Sequence, residues 1–309
     1  MYRNSSIWDD LKFEFQKGNI ITRLIFANVA VFLFLNLTIL ILKIFVGHPE
    51  WAAMVTKQFM LPADLGKFIT RPWTLFTHMF AHIGLFHILF NMLWLYWLGR
   101  ILSEYLGQRK ILPLYILGAL AGGLFYMLLF NVLPYFQQSV STAEALGASA
   151  GVMAIVVATA TLLPDYRIHL IFLGAVKLKW IALVAVVLDI LGMGGGNAGG
   201  SIAHLGGAGF GYLFIKQLQS GQDWSKGVNA VIDTVIGWFV RPKGPRVHYT
   251  NTEKVKSRKQ RRSRHSQQQT DNADKQKRLD EILDKISRSG YDGLTKEEKD
   301  FLFHFSKDN

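Results

Sequence analysis

The 309-residue sequence contains no cysteine. That excludes disulfides, thiol catalysis and zinc–thiolate sites, and leaves the redox compartment open. The N-terminal region lacks the pattern of a removable signal. Its apolar run, Leu24 to Leu42, is long for such a segment, and no small-x-small cleavage site follows. The run is therefore read as a retained span. Lys and Arg are absent from residues 133–146 and from Gly194–Gly200. What the chain has in excess is apolar. Half of its residues are hydrophobic and the mean hydropathy is +0.21, an average that soluble chains of this length rarely reach. The apolar residues fall in blocks of about 15 to 22, near the length that crosses a hydrocarbon core.

Six spans are predicted, at about 24–43, 84–103, 111–132, 147–163, 180–194 and 201–217. Basic residues set their orientation. The second-to-third loop carries Arg100, Arg109 and Lys110, the fourth-to-fifth carries Arg167, Lys177 and Lys179, and the C-terminal tail is rich in both types. Both termini are therefore expected in the cytoplasm of a bacterial inner (cell) membrane protein. The first outer loop, 44–83, departs mildly from the pattern with Lys57, Lys67 and Arg71. It mixes Trp51, Met54 and Phe59 with polar residues and is expected to dip into the outer leaflet.

Five segments follow from this reading. Residues 1–20 form a cytoplasmic or interfacial segment, with an apolar face between Ile7 and Phe15. Residues 21–219 form the six-span domain. Residues 220–240 form an interfacial amphipathic helix, since Asp233 in so short a run argues against a seventh span. Residues 241–274 have the composition of a basic disordered linker, suited to anionic lipid rather than nucleic acid. Residues 275–309 form a small helical hairpin. Leu279, Ile282, Leu283 and Ile286 make its stripe, Gly290 its break, and Thr295-x-x-Glu298 a capping box.

Three polar clusters sit where polar groups are costly. His87 and Asn91 are four apart in an apolar run and share a helix face, placed to donate hydrogen bonds to one acceptor. Taken alone they fit ordinary inter-helix hydrogen bonding better. Ser149 lies in Gly147-Ala148-Ser149-Ala150-Gly151, a run that close helix packing also explains. His204 precedes Gly207 and Gly211, a small-x-x-x-small packing face. Topology places all three clusters toward the outer side of the bundle. A nucleophile, a base and two hydrogen-bond donors at one depth are the parts that acyl transfer needs.

In combination these motifs resemble the rhomboid intramembrane serine proteases over roughly residues 70–215. His87-x-x-x-Asn91, Gly147-Ala148-Ser149 and Ala203-His204-x-x-Gly207-x-x-x-Gly211 each fall on the expected span. The resemblance implies an all-α membrane protein, a six-transmembrane-helix rhomboid-like bundle with a small cytoplasmic helical tail. It also implies that Ser149 attacks the peptide carbonyl while His204 takes its proton. His87, Asn91 and the Ser149 backbone N–H then form the oxyanion hole, and Gly147, Gly207, Gly211 and Met153 pack around the site. The family uses a dyad, so Asp189, which is not a motif position, is taken as structural. Two departures stand out. Met153 occupies the place where the family often has a Tyr packed on the imidazole, and Trp73 is followed by Thr74 where the family has Trp-Arg.

Substrates are expected to be single-span membrane proteins with helix-weakening residues near the outer face, because attack needs an extended backbone. Gly192–Gly200 is expected to act as a mobile cap over a water-accessible cavity. No cofactor and no metal are expected. The alternative is a catalytically inactive rhomboid-like factor that binds and routes membrane proteins. Inactive relatives lack the serine or the histidine, and this chain keeps both. A transporter would want charged or broken helices near the midplane, and Asp189 alone offers that.

Overall fold

The computed structural model describes residues 19–170, 174–239, 276–288, 290 and 293–300. The expected helix at 7–15 and the linker at 241–274 lie outside them. The chain divides between Val240 and Arg241 into two compact units.

The first unit is mostly helical. Asn19 opens α1 (Ile20–Ile41) by accepting the Thr22 N–H at 3.0 Å. The helix runs on through a π turn, Leu42–Val46, and stops at Gly47. The segment expected as the first outer loop then folds as α2 (Pro49–Lys57), β1 (Leu61–Pro62), α3 (Leu65–Thr70), α4 (Thr74–Thr77) and a 3-10 turn, His78–Phe80. After α5 (Leu85–Leu106) and α6 (Ile111–Val132) come β2 (Glu144–Ala145) and α7 (Ser149–Leu162). A hairpin of β3 (Arg167–Leu170) and β4 (Gly174–Lys177) leads to α8 (Leu178–Gly192), α9 (Ala198–Gln219) and α10 (Ser225–Phe239).

Among the described residues, three helices are long and apolar enough to cross a membrane: Ile20–Val46, Leu85–Leu106 and Gln108–Val132. Their outer faces are apolar and uncovered, with Leu33, Phe34 and Leu37 exposed on α1 and Phe86, Leu89 and Phe90 on α5. Apolar exposure on that scale fits lipid, not water.

α7 is the central element. Ala150 through Val156 are all buried, as are Ala158, Thr159 and Ala160. Small residues make this possible. A Cβ at Gly207 would lie 2.1 Å from the Ala150 carbonyl oxygen, and one at Gly211 would lie 2.2 Å from that of Ala154. Only glycine lets α9 reach the α7 backbone at these two points. The fourteen residues of α7 rise roughly 21 Å, short of a hydrocarbon core of about 30 Å. Its N-terminus therefore ends inside the bundle, and the chain reaches it through a loop.

Two pairings hold that loop. β1 and β2 are antiparallel, with Leu61 opposite Ala145 and Pro62 opposite Glu144. Arg71 donates to the Lys57 carbonyl and, at 3.3 Å, to the Glu144 carboxylate. The first outer loop is thus built onto the segment that precedes Ser149.

At the other end of the helices, charges pair. Arg109 meets Asp233 at 2.7 Å, Lys110 meets Asp223, and Asn229 donates to the Arg109 carbonyl. These contacts tie α10 to the turn between α5 and α6. Lys177 and Lys179 both donate to Asp165 at 2.9 Å, which holds its carboxyl down at about 2.

The second unit holds a helix at 276–288, a turn at Gly290 with φ 71°, and a second helix start. Thr295 Oγ1 accepts the Glu298 N–H at 3.3 Å while Glu298 accepts the Thr295 N–H at 2.8 Å. Lys285 meets Glu298 at 2.9 Å. The rest of the hairpin expected at 275–309, from Phe301 on, lies outside the described residues.

Candidate active site

Ser149 is the first residue of α7, so its N–H has no acceptor within the helix and points out of it. The residues just before it are fixed from the first outer loop. The Gly147 N–H donates to the His78 carbonyl at 2.9 Å. The Ala148 N–H donates to His82 Nε2 at 3.2 Å, while the opposite ring nitrogen, Nδ1, lies 3.3 Å from the Phe80 carbonyl. That pairing fixes the tautomer: Nδ1 carries the proton and Nε2 accepts. His78 Nδ1 in turn meets the Thr74 carbonyl at 3.0 Å. His78 and His82 stand shortly before His87 in the sequence, where nothing in their spacing marks this role.

Gly147 adopts φ 127°, a conformation that favours glycine. A Cβ there would also lie 2.8 Å from His87 Cε1 and 2.9 Å from Nε2. Gly147 was expected as a helix-packing residue. It is instead the bare backbone on which the His87 ring rests, just outside the helix. That ring also meets His82 edge-on, with centroids 5.0 Å apart.

Asn91 stands one turn after His87. Its side-chain amide donates to the His87 carbonyl at 2.8 Å, which spends one N–H and leaves a second. The two side chains do not share one acceptor here. They line one space from two heights.

That space is a cavity of about 510 Å³ between α5 and α8, lined by Ser149, His204, His87, Asn91, Met153 and Asp189 among others. The four polar residues singled out in the sequence come together in it, although they are spread over 118 positions. Ser149 and His204 meet through this cavity and not, among the described residues, through a direct hydrogen bond. Such contacts are often long in an empty site and tighten once substrate is bound. Met153 lines the cavity one turn after Ser149.

A second cavity of about 750 Å³ reaches Ser149 and His87 under the segment Gly195–Gly200. The expected cap is shorter than its glycines suggest. α8 runs to Gly192 and α9 starts at Ala198, so Gly199 and Gly200 are helical.

One contact was not foreseen. His204 Nδ1 lies 2.8 Å from Asp189 Oδ1. The sequence carried a signal for it, an acid in an otherwise apolar span, at the depth where the next span places His204.

Comparison with known proteins adds the following. Residues 70–219 match the rhomboid domain family, and residues 266–308 match a family of unknown function, DUF6576. RHOMBOID-like protein 12, mitochondrial, from Arabidopsis thaliana is 32% identical over 175 residues, covering 53% of this chain and 52% of that protein. Rhomboid protease GlpG from Salmonella newport is 43% identical over 51 residues, covering 16% of this chain and 18% of that protein. The chain thus spans about half the length of the plant relative and under a fifth of the bacterial one.

Proposed function

We propose that this rhomboid-family membrane protein is an intramembrane serine endopeptidase that cuts single-span membrane proteins near the outer face of the bilayer. The observation that carries the reading is the 510 Å³ cavity, in which Ser149, His204, His87 and Asn91 converge at the N-terminus of a buried, short helix.

The chemistry follows from the positions. A substrate helix partly unwinds and enters between α5 and α8, where the cavity is lined by Phe86, Phe90, Trp94 and Leu188. Ser149 Oγ attacks the exposed carbonyl, and its proton passes to His204 Nε2. The carbonyl π pair moves to oxygen. That oxyanion is met by the Ser149 N–H, the remaining Asn91 N–H and the His87 ring, all held in place before reaction. Protonated His204 then gives its proton to the leaving amine, and an acyl-enzyme remains. Water from the 750 Å³ cavity, activated by His204, hydrolyses it. No cofactor is required by these steps.

In this reading six helices span the bilayer: α1, α5, α6, α7, α8 and α9. Both termini are cytoplasmic in this reading, as the Lys and Arg of the second-to-third and fourth-to-fifth loops predict. The setting is the inner membrane of a bacterium. The rival reading, a binding and routing factor without catalysis, makes the opposite prediction for one assay.

That assay uses purified protein in detergent with a generic single-span substrate, followed on a gel. Wild type cleaves, and Ser149→Ala and His204→Ala each lose roughly 1,000-fold or more while remaining folded. A rate for either variant within about tenfold of wild type sinks the mechanism. Inactive wild type that still captures the substrate supports the rival.

A further inference from the structure

We propose that Asp189 is a positioning residue for His204, making the site a Ser149–His204–Asp189 triad and not a dyad. This rests on the protease reading above. The observation is a pair of side chains on neighbouring helices, Asp189 Oδ1 and His204 Nδ1, 2.8 Å apart, opening on the cavity that holds Ser149.

Beyond Lys179 in its first turn, α8 carries no charged side chain except Asp189. Its neighbours on the helix, Leu188 and Leu191, are exposed in the manner of lipid-facing residues. A carboxylate in such a helix is retained only with a partner or a task. Here the partner is the imidazole, and the pair is largely covered, with side-chain exposures of 14% for Asp189 and 21% for His204.

A carboxylate accepts hydrogen bonds and donates none, so the proton between the two sits on His204 Nδ1. The lone pair is then on Nε2, the nitrogen left to face the serine. That is the tautomer a general base needs. When Ser149 Oγ forms its bond to the carbonyl carbon, the hydroxyl proton moves to Nε2 and the imidazole becomes a cation. Asp189 takes no proton. Its charge faces the cation and holds the ring. The only other titratable side chain lining this cavity is His87, from α5, which has no anion of its own there. No described side chain other than Asp189 offers His204 an anionic acceptor at this site.

A purely structural contact between α8 and α9 would show the same distance, so the test needs readouts that packing does not move. Full-length Asp189→Asn keeps the shape of the side chain and removes its charge. Its kcat is expected to fall roughly 10-fold to 1,000-fold, with KM and thermal melting unchanged. Labelling of Ser149 by a fluorophosphonate is expected to slow by the same factor. In ¹⁵N-histidine spectra, His204, assigned by its loss in His204→Gln, is expected in the Nδ1–H tautomer, and Asp189→Ala is expected to abolish that preference.

If active wild type and both Asp189 variants share one kcat and one labelling rate, the proposal is overturned and the protease reading stands. If wild type neither cleaves nor labels, the protease reading falls first. An Nε2–H tautomer for His204 in wild type overturns the pairing whatever the activity, and decides the matter should Asp189→Asn fail to fold.

Discussion

At the scale of residues, the outer loop works through histidines that differ in task. His82 spends both ring nitrogens, and His78 its Nδ1 and its carbonyl, on backbone groups, and so they fix the chain entering Ser149. The His87 ring makes no hydrogen bond among the described residues and lies against Gly147 and the cavity. This division predicts different phenotypes. His87→Ala or Asn91→Ala is expected to slow cleavage roughly 10-fold to 1,000-fold, the range for losing one oxyanion donor, with unchanged melting. Overlap between the donors favours the lower end. Full-rate cleavage by both single variants and the double variant would reduce the two residues to packing. His82→Ala is expected to lower melting as well as rate, because it leaves the buried Ala148 N–H without an acceptor, a loss of about 1–3 kcal/mol. Unchanged thermal stability in detergent would refute that assignment.

At the scale of elements, the site depends on how closely α9 approaches α7. The Gly207 Cα faces the Ala150 carbonyl so closely that any side chain meets backbone, which cannot move aside as a flexible side-chain tip would. Gly207→Val is therefore expected to push α9 outward and take His204 with it. The expected cost is at least the 1–3 kcal/mol typical of overpacking, about that much or more, with cleavage lost. Differential scanning in detergent and the gel assay check both parts. Unchanged melting and cleavage would mean that the α9 face is not fixed at this point. The face itself was readable from Gly207-x-x-x-Gly211, because small residues at that spacing have few uses in a span. The first outer loop was not readable in the same way. Its two-residue strand exists by pairing with Glu144 and Ala145, and the Ala63 N–H beside it donates to the Ala143 carbonyl, far later in the chain.

At the scale of the whole molecule, every candidate group for chemistry lies before Val240, within the first of the two compact units. A chain stopped after Val240 is expected to keep its cleavage of a model substrate in detergent. The basic stretch that follows is expected to add attraction to anionic headgroups of about 1 kcal/mol per residue near the surface, fading with salt. Vesicle binding with and without anionic lipid measures that term. Loss of detergent activity on truncation, with the remaining chain still folded, would instead make the tail a regulator of the site.

Composition and local spacing alone determined the membrane class, the capping box at Thr295 and Glu298, the polar residues worth weighing, and the approximate positions of the three described helices long and apolar enough to cross. Each of these is a short-range property, fixed by hydropathy over about twenty residues or by neighbours three and four apart. The tertiary structure decided what those residues touch. It placed His78 and His82 on the backbone before Ser149, gave Gly147 its role beneath the His87 ring, trimmed the glycine-rich cap, and set Asp189 against His204. An isolated acid in an apolar helix states only that some partner exists. Which partner it finds depends on the rotation and depth of two helices, and those are set by packing across the whole bundle, with no local signal to record them.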